Sequence, residues 1–342
     1  MLISRLCVRF CSPQIALVPL IMALLFTSIA WSQSDDPVHI VPREKPATPV
    51  ETDVQGVKGE PTLDAHVRPL RVDVDLVLVP VTVTDTLNHP VTGLQKQDFT
   101  IYEHDQPQEI RHFSVEDGPI SVGLILDLSK SMSDKIDTER AAVKAFFQNA
   151  NPDDDYFAIG VTDHPTLIAD STQSLGTLEA KVASPDGNTA LLDAVYMGVA
   201  HMRSARYRRR ALLIISDGGD NHSRYRLREI KEIVREADIQ IYAIGIFDTA
   251  LFKTFEEYMG KKWLGAITDE TGGRTITVDK LDKLPEAAAA VSWELRSQYV
   301  LGYRPANDQR DGGWRKIRVR VKAANSQSLQ AYYKKGYLAA EK

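Results

Sequence analysis

From Ile120 to Leu126 the chain is apolar at nearly every position, and it then breaks into Asp127-Leu128-Ser129-Lys130-Ser131. A strand that is apolar on both faces must be covered on both faces. Parallel sheets with helices packed above and below meet that need, and antiparallel sheets with one wet face do not. The residues that follow have the required alternation. Ile136, Ala142, Val143, Phe146 and Phe147 are spaced for a helix, and Tyr156 to Val161 for a strand. Leu191 to Met202 carries a helical stripe, and Ala211 to Ile215 is a second buried run. Leu227, Ile230, Ile233 and Val234 mark a helix, and Ile239 to Phe247 a strand. A helix from Phe255 to Thr271 stops at Gly272-Gly273, followed by a strand from Arg274 to Val278 and a helix from Leu284 to Ser297. Strands alternating with helices predict an α/β domain over residues 119–296, built on a doubly wound, mostly parallel sheet flanked by helices.

The flanks have a different period. Val72 to Thr84 alternates as a long strand, Asn88-His89-Pro90 is a turn, and Phe99 to Tyr102 and Ile110 to Phe113 read as further strands, with His104 in a turn between them. These three read as one antiparallel sheet over residues 71–118. After Gln298 the alternation returns in Tyr299 to Tyr303, Ile317 to Val321 and Leu329 to Tyr333. The economical arrangement is one β-sandwich made of both flanks, 71–118 and 297–342, with the α/β domain inserted in it.

Before the first flank, Arg5 and Arg9 precede an apolar run from Ile15 to Ile29, with small residues Ala30 and Ser32 at its end. That pattern predicts a signal peptide over residues 1–32, and an N-terminal membrane anchor if it is not cleaved. No stable membrane span remains after cleavage. Residues 33–70 are polar and carry Pro37, Pro42, Pro46, Pro49, Pro61 and Pro69, the composition of a flexible linker. The expected location is exported, either periplasmic or secreted. Cys7 and Cys11 lie ahead of the apolar run, so neither disulfides nor thiol chemistry are expected of the exported chain. A net charge of -5 gives no basic field for nucleic acid.

Ligands of open α/β sheets bind beyond the carboxyl ends of the strands. At those ends stand Asp127-x-Ser129-x-Ser131 and Ser216-Asp217-Gly218-Gly219-Asp220, and between them Gly187-Asn188-Thr189 opens a helix. Hydroxyls with two carboxylates suit a hard divalent ion rather than zinc or copper: Mg²⁺ first, with Mn²⁺ or Ca²⁺ also admitted. With two negative charges and otherwise neutral oxygens, such an ion keeps affinity for one more anionic oxygen from outside.

Asp127, Ser129, Ser131, the separate Thr189 and Asp217 together resemble the metal-ion-dependent adhesion site of von Willebrand factor A domains, including integrin inserted domains, over about residues 119–296. The resemblance implies that Ser129, Ser131 and Thr189 bind the metal directly and that Asp127 and Asp217 act directly or through water. It implies a non-enzymatic protein-binding or adhesion module whose partner presents Asp or Glu. The string from Asp127 to Asp134 is similar to the integrin β-subunit version, in which two adjacent acids feed a second metal; here Lys135 stands at the second acid's place. Val91 to Leu94, Asp98 to Tyr102 and Tyr299 to Tyr303 resemble the flanks of von Willebrand-type proteins described from Acidobacteria.

By nearness in sequence, Lys130, Met132, Asn188, Asp220 and His222 are expected to form the partner-binding rim. A metal-assisted hydrolase is the alternative, with His222 or Asp220 as its base, and a structural domain with a vestigial site is another. The basic residues Arg203, Arg206, Arg208, Arg209 and Arg210, and the acids Asp153-Asp154-Asp155, read as solvated loops. Ser129 and Ser131 lack the surroundings of a catalytic serine.

Overall fold

A computed structural model of the chain describes residues 76–170, 186–247, 255–322 and 328–341. The expected signal peptide, the expected linker and the start of the first predicted strand lie outside the described residues. Among the described residues no helix is long and apolar enough to cross a membrane.

The central domain is a six-stranded sheet in the order β10-β9-β8-β5-β6-β7. Its middle strand is β5 (Ser121–Asp127), the apolar run that opens the domain, and every residue of it is buried. On one side it pairs with β6 (Asp155–Val161) and on the other with β8 (Arg210–Ser216), both parallel. β9 (Gln240–Ile246) and β10 (Thr275–Val278) continue the parallel order. β7 (Pro165–Ala169) is an antiparallel edge strand. Sequence periodicity does not reveal it, because it is short and only partly buried.

Alternate faces of β5 feed two cores. Val122, Leu124 and Leu126 pack with α1 (Ile136–Gln148) and with α5 (Leu284–Arg296). Ile125 packs on the other face, with α2 (Leu191–His201), α3 (Leu227–Glu236) and α4 (Phe255–Thr271). Gly123 lies on the crowded second face. A Cβ there would come within 2.3 Å of the Phe157 ring and 2.6 Å of Leu212, so the strand can cross at this point only without a side chain.

The two flanks form a pair of four-stranded antiparallel sheets. One has the order β13-β1-β11-β4 and the other β14-β12-β2-β3. β1 (Val77–Thr84) lies between β11 (Gln298–Tyr303) and β13 (Gln330–Tyr333), so the first flank is completed by the last. β4 (Ile110–Glu116) pairs with the far side of β11. β2 (Phe99–Glu103) pairs with β12 (Trp314–Val321) and with the short β3 (Gln106–Gln108), and β12 also pairs with β14 (Gly336–Leu338). The three N-terminal strands expected in one sheet are therefore split between two. Each finds its neighbour in the C-terminal flank, because the sheets close around one core of Val79, Val81, Phe99, Ile101, Tyr299, Leu301 and Ile317. Tyr303 reaches across that core to donate to Glu103 at 2.7 Å.

Polar contacts tie the sandwich to the inserted domain. Gln298 on β11 donates to Gln240 at 2.7 Å and to Tyr242 and Thr82 at 3.3 Å. Arg274 donates to Glu294 and to Asn88 in the turn after β1. Two of the runs read as solvated loops belong to this framework. Asp154 is buried: it accepts from the amide of Ile120 at 2.9 Å and from Tyr156 Oη at 2.8 Å, and it pairs with Arg296. Arg209 pairs with Glu116 at 3.3 Å and donates to the carbonyls of Gly118 and Leu295, the two places where the chain enters and leaves the α/β domain. Charge runs mark neither role, since both depend on the partner brought up by the fold.

Candidate functional site

Three loops meet beyond the carboxyl ends of β5 and β8. The first carries Asp127, Ser129 and Ser131. Asp127 is fully buried at the last position of β5, where Oδ1 accepts from the amide of Ser129 at 3.1 Å. That bond folds the chain back over its own aspartate, and a 3-10 turn at Lys130–Met132 follows. The turn brings Ser129 Oγ and Ser131 Oγ to 3.0 Å of each other. Oδ2 of Asp127 accepts from Ser216 Oγ at 2.5 Å. Burial, and then the nearby charge of Asp217, push the Asp127 carboxyl up to about 6.

The second loop follows β8. Gly218 turns the chain at φ 81°, and a Cβ on it would lie 2.9 Å from Gly260 of α4. A residue with a side chain fits neither the conformation nor the space there. The amide of Gly218 donates to Ser216 Oγ at 2.9 Å, and the amide of Gly219 to Asp217 Oδ1 at 3.3 Å.

The third loop carries Thr189, which is held from two directions. Its amide donates to Asn221 Oδ1 at 3.0 Å, and its carbonyl accepts from the amides of Asn221 and His222, each at 3.1 Å. The second and third loops are thereby stitched together. A Cβ built on Gly219 would stand 3.5 Å from Asp217 Oδ1 and 3.9 Å from Thr189 Oγ1. Oxygens from the two loops therefore border one space that a side chain at 219 would fill. Hard oxygen donors around a small cradle fit a hard divalent ion.

The rim residues separate. Lys130, Asn188 and His222 are exposed. Asn188 donates its amide to Asp163 at 2.7 Å, and His222 lies 6.0 Å from His164, ring to ring. Met132 is not on the rim. Its side chain is fully buried in the core of the α1 face, because the 3-10 turn points position 132 inward while exposing 131. Asp220 is half-buried and caps α2: its Oδ1 accepts from the amide of Leu191 at 3.0 Å and from Ser223 Oγ at 2.6 Å. Burial raises its carboxyl above the usual range.

The sequence gives no role at the site to Ser216 or Glu139, and it marks Lys135 only as the residue in a second acid's place. Ser216 holds Asp127, as above, and the Ser-Asp-Gly string was its only trace. Lys135 places Nζ 3.0 Å from Asp217 Oδ2, with both side chains largely buried. Glu139, in the first turn of α1 and by charge an unremarkable helix residue, is fully buried, and neither carboxylate oxygen has a hydrogen-bond partner. Burial, and then the charge of Asp127, hold its carboxyl well above the ordinary range. Among the described residues no cluster of three or more His, Cys, Asp or Glu is grouped to hold a metal.

No family model and no curated protein matches the chain. Among solved structures it is similar to proximal thread matrix protein 1 from the mussel byssus, at 16% identity over 57% of this chain and 51% of that one, with a TM-score of 0.45. It is similar to a von Willebrand factor type A protein from Catenulispora acidiphila, at 12% identity over 77% of this chain and 74% of that one, with a TM-score of 0.44. It is also similar to the pilus adhesin SpaC from Lactobacillus rhamnosus GG, at 11% identity over 75% and 49%, with a TM-score of 0.44. The chain spans about half the length of the byssus protein and of the adhesin. The strand order and the helices on both faces make the inserted domain a doubly wound, mostly parallel α/β sheet, with Asp127 at the end of β5 and Asp217 just past the end of β8.

Proposed function

We propose that this chain is an exported, non-enzymatic binding module that holds one divalent ion, Mg²⁺ in the first place, and docks a partner protein through an Asp or Glu carboxylate. Ser129, Ser131 and Thr189 would supply hydroxyl ligands. Asp127 and Asp217 would act directly or through water. The observation that carries this reading is the cradle over Gly219, where Asp217 Oδ1 and Thr189 Oγ1 border the same space. Both oxygens of Asp127 already accept hydrogen bonds, which suits it to act through water and to hold Ser129 and Ser216 in place. When bound, the ion supplies an electrophilic position for an outside anionic oxygen.

Lys130, Asn188 and His222 are the exposed side chains available to add specificity around that position. The hydrolase alternative asks for a free base beside the ion. Asp220 is engaged as a helix cap, so its position lends that reading no support.

Recovery of a partner from the native secretome with and without EDTA tests the reading. Retention should require the metal. In the recovered partner, one Asp→Asn or Glu→Gln substitution should abolish binding as EDTA does. If every acid can be neutralised and binding survives, the metal does not mediate recognition.

A further inference from the structure

Lys135 precedes α1 and lies near the positive end of that helix. Its ammonium nevertheless turns to the candidate site and rests on Asp217 Oδ2 at 3.0 Å, from a side chain only one-fifth exposed. The other oxygen, Oδ1, is the one that borders the Gly219 cradle. Asp217 is thus shared: one oxygen faces the ion's place and the other faces a fixed cation. The carboxylates named for the metal are Asp127 and Asp217, and Lys135 cancels one of those two charges from within the chain.

We propose that Lys135 sets the metal affinity of this site, acting as a built-in competitor whose positive charge weakens the hold on the divalent ion. This rests on the metal-binding reading above. A cation fixed against one oxygen of a carboxylate would repel a divalent ion held by the other, in a partly buried place where water screens little. Like charges across one carboxylate oppose each other by enough to lower affinity about tenfold or more. The bound ion, with less negative charge around it, also keeps more of its own charge for an anion from outside. Lys135 therefore trades strength of metal binding for dependence on the partner's carboxylate. It acts through Asp217 and the field, and is a positioning residue rather than a ligand.

Calorimetric titration of the full chain with Mn²⁺ alone tests this in wild type, Lys135→Met, Lys135→Gln and Lys135→Arg. A cooperative melt in EDTA establishes that each variant folds. The glutamine variant removes the charge while keeping a polar N–H donor on a shorter side chain, so it covers the case in which the methionine variant unfolds. We expect the two neutral variants to bind Mn²⁺ about tenfold tighter or more, and the arginine variant to bind like wild type. Binding by the neutral variants where wild type gives no heat also supports the proposal. Wild type that binds while the neutral variants bind no tighter overturns the role of Lys135 and leaves the metal reading standing. No heat in any of the four overturns the metal reading, and the proposal with it.

Discussion

At the scale of single residues, the site buries the two acids Asp127 and Glu139. Asp127 is pushed up to about 6 and Glu139 well above its ordinary range, by burial first in both cases. An acid whose carboxyl titrates higher when folded binds its proton more tightly in the folded state. Its contribution to stability is complete below the unfolded value and is lost as pH rises through the folded one. In EDTA these two acids should therefore pull the melting temperature down progressively as pH rises from about 4 through 6 and beyond. Asp127→Asn should flatten the lower part of that slope. The same slope in wild type and Asp127→Asn would contradict the assignment. Glu139→Leu removes a buried carboxylate without a hydrogen-bond partner, and leaving such a group unsatisfied costs about 1–3 kcal/mol. Urea unfolding in EDTA should show the leucine variant more stable by that order. Asp127→Ala should abolish metal binding in calorimetry while circular dichroism retains the α/β signature. It should also cost stability, because Ser216 Oγ and the Ser129 amide lose their acceptor.

At the scale of elements, one ion pair inside the inserted domain also reaches the sandwich. Arg274, just before β10, and Glu294, in α5, are both buried, and Arg274 also donates to Asn88 Oδ1 at 3.0 Å. Burial raises the Glu294 carboxyl, and Arg274 opposes the rise. Removing one partner of a buried pair leaves an unpaired charge, at a cost of about 3–5 kcal/mol. Arg274→Met should lower the urea midpoint accordingly, and the double variant Arg274→Met, Glu294→Met should recover most of the loss. Equal midpoints for wild type and Arg274→Met would show that the pair does not stabilise the fold. The helices of the inserted domain were legible from their apolar spacing, whereas β3, β7 and β14 were not. Each of those strands is short, and β3 and β14 have little buried side-chain pattern to announce them.

At the scale of the whole molecule, the sandwich cannot be assembled from one end of the chain. β1 lies between β11 and β13, and β2 between β12 and β3. A fragment of residues 71–118 keeps β1, β2, β3 and β4 but loses the strands that pair with three of them. It should give a random-coil circular dichroism spectrum, since isolated strand pairs are marginal in water. A fragment of residues 119–296 keeps both cores of the inserted sheet and should stay folded and soluble. It should be less stable than the full chain, because Tyr242 and Gln240 lose Gln298 and Arg274 loses Asn88. A cooperative melt from the 71–118 fragment alone would refute the shared sandwich.

The sequence alone determined the features that depend on period and order along the chain. The apolar run at β5 demanded cover on both faces, and the alternation around it specified the doubly wound sheet. The spacing of Asp127, Ser129 and Ser131, with Asp217 at another strand end and Thr189 at the start of a helix, marked one edge of that sheet. Those inferences are local, since a strand or turn displays its own pattern. What only the tertiary structure decided are relations between distant residues. Met132 is adjacent to the motif yet points into the core, while Lys135 and Glu139 lie beyond it and are directed back toward its charges. Arg209 and Asp154, in charged runs, serve as struts. A side chain's direction and the charge that meets it are set when helix and sheet pack, and neither is written in the period of one segment.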